Sequence, residues 1–497
     1  MRMNSFGNRF LIRPVLGRIG TVCDRLTERG RDALFLAGLW LLILEHFALQ
    51  SGFLNPRHLY LFLPACLFFG LMILGGLTGD VRAGKPQTVL LLLWGGVALF
   101  MLLTAVLVNT DNFSNTVFWL FAYPVFFLAW NSRGSDRMQK LVLFGVQASF
   151  GFFLAVSALF FLPAASEYRS FFLNQNSTAA YSLSVFALSL GAFWGAETVR
   201  LRARHLLFTA LAGTVILYAS SRASMLAALG IFLFSAAVHL TRCRKTELKR
   251  AFLRAASVVF LLVISIFTLI YPMQGIYRLA YSAVPALEER LIYEMKVRDV
   301  ANYREGELSE TLPQVRAEIA AGADLDEMYK ELPVRYFADS SEYAGANIGM
   351  HIAENFSSET YAEEEDGAMN GRTAIWKAYL KCVGFLGVPE GTVARYDDGT
   401  PVGKRAHNTI LQLAFESGAA AAVCFALLNL LSFLLAVRYA FVRNGRYAYL
   451  PLAMMGAFCI LSLAEAVLSP VTRTAALLYL VEFAPLMRKE ESAEGSA

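Results

Sequence analysis

The sequence predicts an all-α polytopic membrane protein with about twelve transmembrane helices and one large, mostly helical extracytoplasmic loop domain after the ninth. Three observations predict it. Apolar residues make up 56% of the chain and charged residues 17%, against roughly 25% charged in soluble domains, and the mean hydropathy is +0.49. The apolar residues fall in runs of about 17 to 25, long enough to cross about 30 Å of hydrocarbon as helix. Lysine and arginine crowd into alternate short loops and leave the others almost bare.

In chain order the expected spans are roughly 33–50, 58–77, 88–108, 115–130, 138–162, 179–197, 205–220, 223–240, 251–271, 409–437, 448–466 and 472–487. The stretch 409–437 is long enough to include an interfacial turn. The basic loops hold Arg82 and Lys85, Arg133, Arg137 and Lys140, then Arg200, Arg202 and Arg204. They continue with Arg242, Arg244, Lys245, Lys249 and Arg250, and with Arg438, Arg443 and Arg446. The alternate loops hold only Arg57, Arg169, Arg222 and Arg473. That asymmetry places both termini in the cytoplasm. The chain then divides into a basic cytoplasmic extension (1–32), nine spans (33–271), the extracytoplasmic loop domain (272–407), three spans (408–487) and a cytoplasmic tail (488–497).

The loop domain is acidic, with the run Glu363 to Asp366 at its most charged point. Helical periodicity is expected around 284–300, 311–332 and 371–385, the last with Ile375, Trp376, Tyr379, Leu380 and Val383 on one face. The six cysteines are scattered without metal-ligand spacing, and only Cys382 falls in the loop domain, so no disulfide forms within it. Basic residues sit at helix ends rather than on one polar face, which argues against a nucleic-acid partner. No internal repeat is visible, which argues against a secondary transporter built of two related halves.

Several polar residues stand out against this apolar background. Arg222, in S-S-R-A-S, sits between two spans joined by almost no loop, on the side otherwise stripped of arginine. A snorkelling arginine would look the same, but charges held there are costly and tend to be functional. Arg372 follows Gly371 at the start of an amphipathic helix, where backbone N–H groups and a bidentate guanidinium suit a phosphate. Taken alone it reads more readily as a surface arginine in a loop full of acids, and it gains weight only beside the histidine that follows.

His407 and Asn408 lie where the loop domain re-enters the membrane. Beside Arg405 and Lys404 the imidazole is expected to be neutral and able to accept a proton from a hydroxyl. Asn408 is placed to orient it or to bind a sugar, and Glu416 to project inside the bundle. Asn174 and Asn176, in N-Q-N-S-T, suit a carbohydrate or pyrophosphate, or else belong to a helix start capped at Ser177 or Thr178. Arg473 opens the last span on the same side. Glu45 and His46 fall within the first span as a buried polar pair of open role.

Four motifs follow one another in a fixed order: N-Q-N-S-T-A before the sixth span, S-S-R-A-S, G-R-T-A-I-W, and H-N-T-I-L-Q-L-A-F-E-S-G opening the next span. With the twelve-span layout and the single large outer loop, this set resembles the O-antigen ligase and polymerase superfamily of bacterial membrane glycosyltransferases. The resemblance covers roughly residues 165–440 and rests on the ordered set rather than on one motif. Where these proteins often carry a G-x-G-like turn before the histidine, this chain has V-P-E-G-T (Val388 to Thr392).

The resemblance implies a glycan donor on undecaprenyl pyrophosphate at the outer face of a bacterial cytoplasmic (inner) membrane. It implies metal-independent, cofactor-free transfer to a hydroxyl acceptor, with Arg222 and Arg372 on the pyrophosphate and His407 activating the acceptor. Asn174, Asn176, Arg405, Asn408, Glu416 and Arg473 are the accompanying substrate-binding candidates. Pyrophosphate is a good leaving group, so fixed cations and one base suffice, and inverting displacement is the expected course. Ligation to a lipid-glycan core, repeat-unit polymerisation and protein O-glycosylation share this donor chemistry. A polysaccharide or lipid carrier is the competing class.

Overall fold

The computed structural model describes residues 25–51, 87–110, 135–161, 168–172, 174–284, 308–332, 372–402, 405–443, 445–468 and 474–487, with scattered positions elsewhere, chiefly within 289–304. The expected spans 58–77 and 115–130, save a few positions, lie outside the described residues, as do Arg473 and Lys404.

Helices form where the apolar runs predict them. They are α1 (Glu28–Gln50), α2 (Thr88–Leu107), α3 (Ser135–Phe160), α4 (Gln175–Gly195), α5 (Val199–Tyr218), α6 (Arg222–Arg242), α7 (Leu248–Thr268) and α8 (Ile270–Ala283). After the polar segment come α13 (Ala419–Val442), α14 (Leu450–Ala464) and α15 (Thr474–Met487). Among the described residues, seven helical stretches are long and apolar enough to cross a membrane, with α7 and α8 counted as one kinked stretch. The α14 and α15 helices are shorter and equally apolar. This is a multi-pass membrane protein.

The bundle is organised around α4, in which every residue from Ser177 to Trp194 is buried. Its serines and alanines let neighbours approach closely, which drives helix association where no hydrophobic force separates helix from lipid. The α5, α6 and α14 helices pack on it. Two of its serines are bonded: Ser184 donates to the Ala180 carbonyl, and Ser189 accepts from Gln147 of α3.

Cross-links fix which helix termini share an end. Ser177 at the start of α4 donates to Gln50 at the end of α1 (2.7 Å), and His46 of α1 meets Thr474 at the start of α15 (3.1 Å). Tyr168 N–H donates to the carbonyl of Tyr218, which ends α5. A small cavity of about 20 Å³ lined by His46, Gln50, Ser177, Val467 and Thr474 joins these termini to the end of α14, with room for about one water.

The polar segment builds two small clusters. In the first, α9 (Leu308–Ala320) and α10 (Leu325–Lys330) pack Val315, Leu325 and Tyr329 on Val297, Val300 and Ala301. The helix expected over 311–332 is thus two, broken where Gly322 takes φ +104°. Arg304 holds Glu318 bidentately (2.5 and 2.6 Å). This cluster is tied to the bundle by the buried pair Arg169–Asp299 (2.9 Å).

Burial pushes the Asp299 carboxyl up to about 6, and the adjacent Arg169 offsets only part of that. A folded value above the unfolded one gives a contribution present below about 4 and lost as pH rises through about 6. Asp299→Asn is therefore expected to flatten the pH dependence of the thermal midpoint between about 4 and 6. An unaltered slope would contradict this account of the pair.

In the second cluster, α11 (Arg372–Cys382) and α12 (Thr409–Ser417) enclose Ile375, Tyr379, Ala394, Val402, Ala406 and Leu411. The expected span over 409–437 is not one helix: it breaks at Gly418, where φ is +93°. The reason is close backbone approach. A Cβ on Gly418 would lie 2.2 Å from the Phe385 carbonyl oxygen, and one on Gly387 2.2 Å from that of Glu416. The two glycines seat the loop 384–388 against the α12–α13 junction. Ala419 N–H donates to Gly384 and Val388 N–H to Phe415, while Thr104 of α2 donates to Ser417 and accepts from Gly387.

Gly418→Ala combines a left-handed backbone with a main-chain clash, so it is expected to cost about 3 kcal/mol or more. A thermal midpoint in detergent within about 2 °C of wild type would overturn that reading.

Candidate active site

Residues 405–409 leave the second cluster and run into α12 as a tightly held elbow. Asn408 caps the helix, its Oδ1 accepting from Leu411 N–H (2.9 Å), while its Nδ2 donates to the Leu463 carbonyl (3.1 Å). Ala406 is pinned on both backbone atoms: its carbonyl accepts from the Trp376 indole (2.8 Å), and its N–H donates to Gln412 (2.9 Å). Gln412 in turn donates to Glu416 (2.7 Å). Between these anchors His407 adopts φ +47°, a left-handed conformation costly for a residue with a Cβ and kept only where surroundings over-determine it.

The elbow is laced to the end of α14. Thr409 donates its hydroxyl to the Glu465 carbonyl (2.6 Å) and accepts from Val467 N–H (3.0 Å). Glu465 is thereby fixed, and its carboxylate faces two of the residues singled out from sequence. Its Oε2 lies 3.3 Å from His407 Nδ1, and its Oε1 lies 3.2 Å from the Arg372 guanidinium.

A carboxylate can only accept, so Nδ1 presents a hydrogen to Glu465, and Nε2 is the ring nitrogen left to face a substrate. This is the arrangement of a base oriented by an acid. From sequence, the neighbouring cations were expected to govern this imidazole; the group that meets Nδ1 is an anion.

Arg222 is the first residue of α6 and is exposed. The α6 and α14 helices run antiparallel: His239 bonds Tyr449 (3.1 Å), Ile231 packs on Gly456, and Ile460 on Gly230. Both helices rise equally per residue, so this register carried onward sets Arg222 level with Glu465. Two arginines, the histidine and the carboxylate thus gather at one end of the bundle.

The other candidates fall differently. Arg405 is exposed, within electrostatic reach of Glu416 and Tyr379. Glu416 is occupied with Gln412 and supports the elbow. Asn174, not Ser177 or Thr178, caps α4, accepting from Asn176 N–H (2.7 Å). Ser177 and Thr178 bond instead to Gln50 and to the Arg169 carbonyl. The Tyr379 hydroxyl, pushed up to about 12 by burial and then by Glu416, stays protonated near neutral pH and is no competing base.

Glu465 escaped the sequence reading. Its signal was a lone carboxylate closing the apolar run 448–466, the kind of residue that marks function at a membrane surface. Glu45, by contrast, is buried within α1, with no described partner for either oxygen.

Fold and site together define a polytopic membrane protein with a cationic, histidine-bearing site at one end of its helix bundle. Residues 207–426, less than half of the chain, match the family model described as O-Antigen ligase, so the chain carries an O-antigen ligase-family domain. The match spans α5 to the first turns of α13 and includes Arg222, Arg372 and His407, which bears out the resemblance drawn from the motifs. Glu465 lies beyond it. No match to a curated protein accompanies it.

Proposed function

We propose that the protein transfers a glycan from undecaprenyl pyrophosphate to a hydroxyl acceptor at the extracytoplasmic face of the bacterial cytoplasmic membrane. The observation that carries this reading is the Arg372–Glu465–His407 network. His407 Nε2 takes the proton of the acceptor hydroxyl as its oxygen attacks the anomeric carbon. The new carbon–oxygen bond forms opposite the breaking bond to the pyrophosphate, so the configuration inverts. The leaving lipid pyrophosphate carries the departing electron pair as negative charge, which Arg372 and Arg222 stabilise.

Glu465 pairs with Arg372. A pyrophosphate arriving there replaces the carboxylate as the arginine's partner and leaves Glu465 to His407, so donor binding prepares the base. The elbow residues Asn408, Gln412 and Glu416 hold the imidazole in place. Two cations and a positioned base cover the charge and proton requirements, which supports transfer without a divalent metal.

The test is the stereochemistry of the product made with a defined α-linked donor in the presence of a chelator. A β linkage is the expected result. A retained α linkage would refute direct displacement, and loss of transfer on chelation would refute metal independence.

A further inference from the structure

The opposite end of the bundle carries a cluster of arginines that the transfer reaction does not use. Arg202, at the start of α5, donates to the Ala196 carbonyl that ends α4 (3.0 Å), and its Nε is buried with no partner. Arg254, on the second turn of α7, is partly buried and within electrostatic reach of Arg202. Arg242, in the last turn of α6, lies 5.3 Å from the Tyr449 ring centroid and donates to the Arg443 carbonyl (2.9 Å). All three bear electrostatically on the buried His239, which stacks on Trp194 at 4.9 Å. Two exposed acids border the cluster: Glu197 follows Ala196, whose carbonyl Arg202 bonds, and Glu247 bears on Cys243. Among the described residues neither Arg202 nor Arg254 makes an ion pair.

Gathering guanidiniums from three helices at a partly buried place is unfavourable unless an anion joins them. Capping α4 accounts for one nitrogen of Arg202, and the Arg443 carbonyl and the Tyr449 ring engage Arg242; the buried Nε of Arg202 is left over. The surface beside it identifies the anion's carrier. On α7, next to Arg254, Phe252, Leu253, Val259 and Phe260 stand 48–68% exposed, an apolar track that water would not favour and acyl chains would cover. The loop charges assign this end to the cytoplasm, whose leaflet is rich in anionic lipid.

We propose that Arg202, Arg254 and Arg242 form a binding site for the phosphate of an anionic phospholipid, whose acyl chains lie along the exposed face of α7. The site takes a phosphodiester and works independently of the histidine-bearing end.

The experiment is native mass spectrometry of the purified full chain titrated with phosphatidylglycerol or phosphatidylcholine. Wild type is expected to favour phosphatidylglycerol. The double variant Arg202→Gln/Arg254→Gln is expected to lose that adduct by about thirtyfold, the loss of two headgroup contacts. Arg200→Gln/Arg250→Gln, which removes equal charge from exposed positions of the same helices, should leave it unchanged. Equal binding of the two lipids by wild type would overturn the proposal without any variant. So would equal loss in the two double variants, or an undiminished adduct in the first. If an excess of inorganic phosphate displaced the lipid completely, the cluster would be a free-phosphate site and the lipid assignment would fall.

Discussion

Replacing His407 by alanine is expected to lower glycan transfer by about 10²- to 10⁴-fold, the range for losing a positioned general base. The protein should stay folded, because the imidazole contributes one contact to an elbow held by six other bonds through Ala406, Asn408 and Thr409. The loss should fall on kcat, since the proton moves only as the acceptor attacks. Donor binding, read as retention of the lipid-linked glycan, should persist, because the two arginines remain. A variant with wild-type kcat would remove His407 from the reaction. One that fails to bind donor would reassign it to the pyrophosphate.

The second large effect belongs to Glu465. Glu465→Gln keeps the size of the side chain and its bond to Thr409, which runs through the backbone carbonyl. It loses the charge that faces His407 Nδ1 and that pairs with Arg372. The expected fall in kcat is about 10²- to 10⁴-fold, as for other acid-oriented histidines. The donor should bind no more weakly than to wild type, because Arg372 no longer has to exchange a carboxylate for it. This split separates an orienting role from a purely structural one, which would raise KM and lower the thermal midpoint together. Unchanged kcat would show that Glu465 does not act through His407.

Much of this architecture was legible because its physical cause is local in sequence. An apolar run of membrane length announces a helix, and α1 to α7 begin and end within a few residues of the spans expected for them. The helix starting at Arg372 was readable from its periodicity and from the glycine before it. Order along the chain was enough to bring Arg222, Arg372 and His407 forward together.

What was not legible depends on contacts far apart in sequence. Gly418 in an apolar stretch reads as an ordinary membrane-helix glycine. Its positive φ is imposed by the Phe385 backbone, which nothing near Gly418 reveals. Glu465 gains its meaning only when Thr409 docks on the end of α14. Asn174 pointed to a ligand by its amide, yet the structure spends its oxygen on capping α4. Asn408 was expected to orient the histidine or bind a sugar and Glu416 to project inside the bundle; in the structure their side chains bond Leu463 and Gln412.

The most direct test is transfer from a purified undecaprenyl-pyrophosphate-linked glycan by the full chain in nanodiscs, comparing wild type with His407→Ala and Arg222→Ala. The site as built predicts labelled acceptor with wild type and at most about a hundredth of that rate with either folded variant. Full activity in both variants would contradict it.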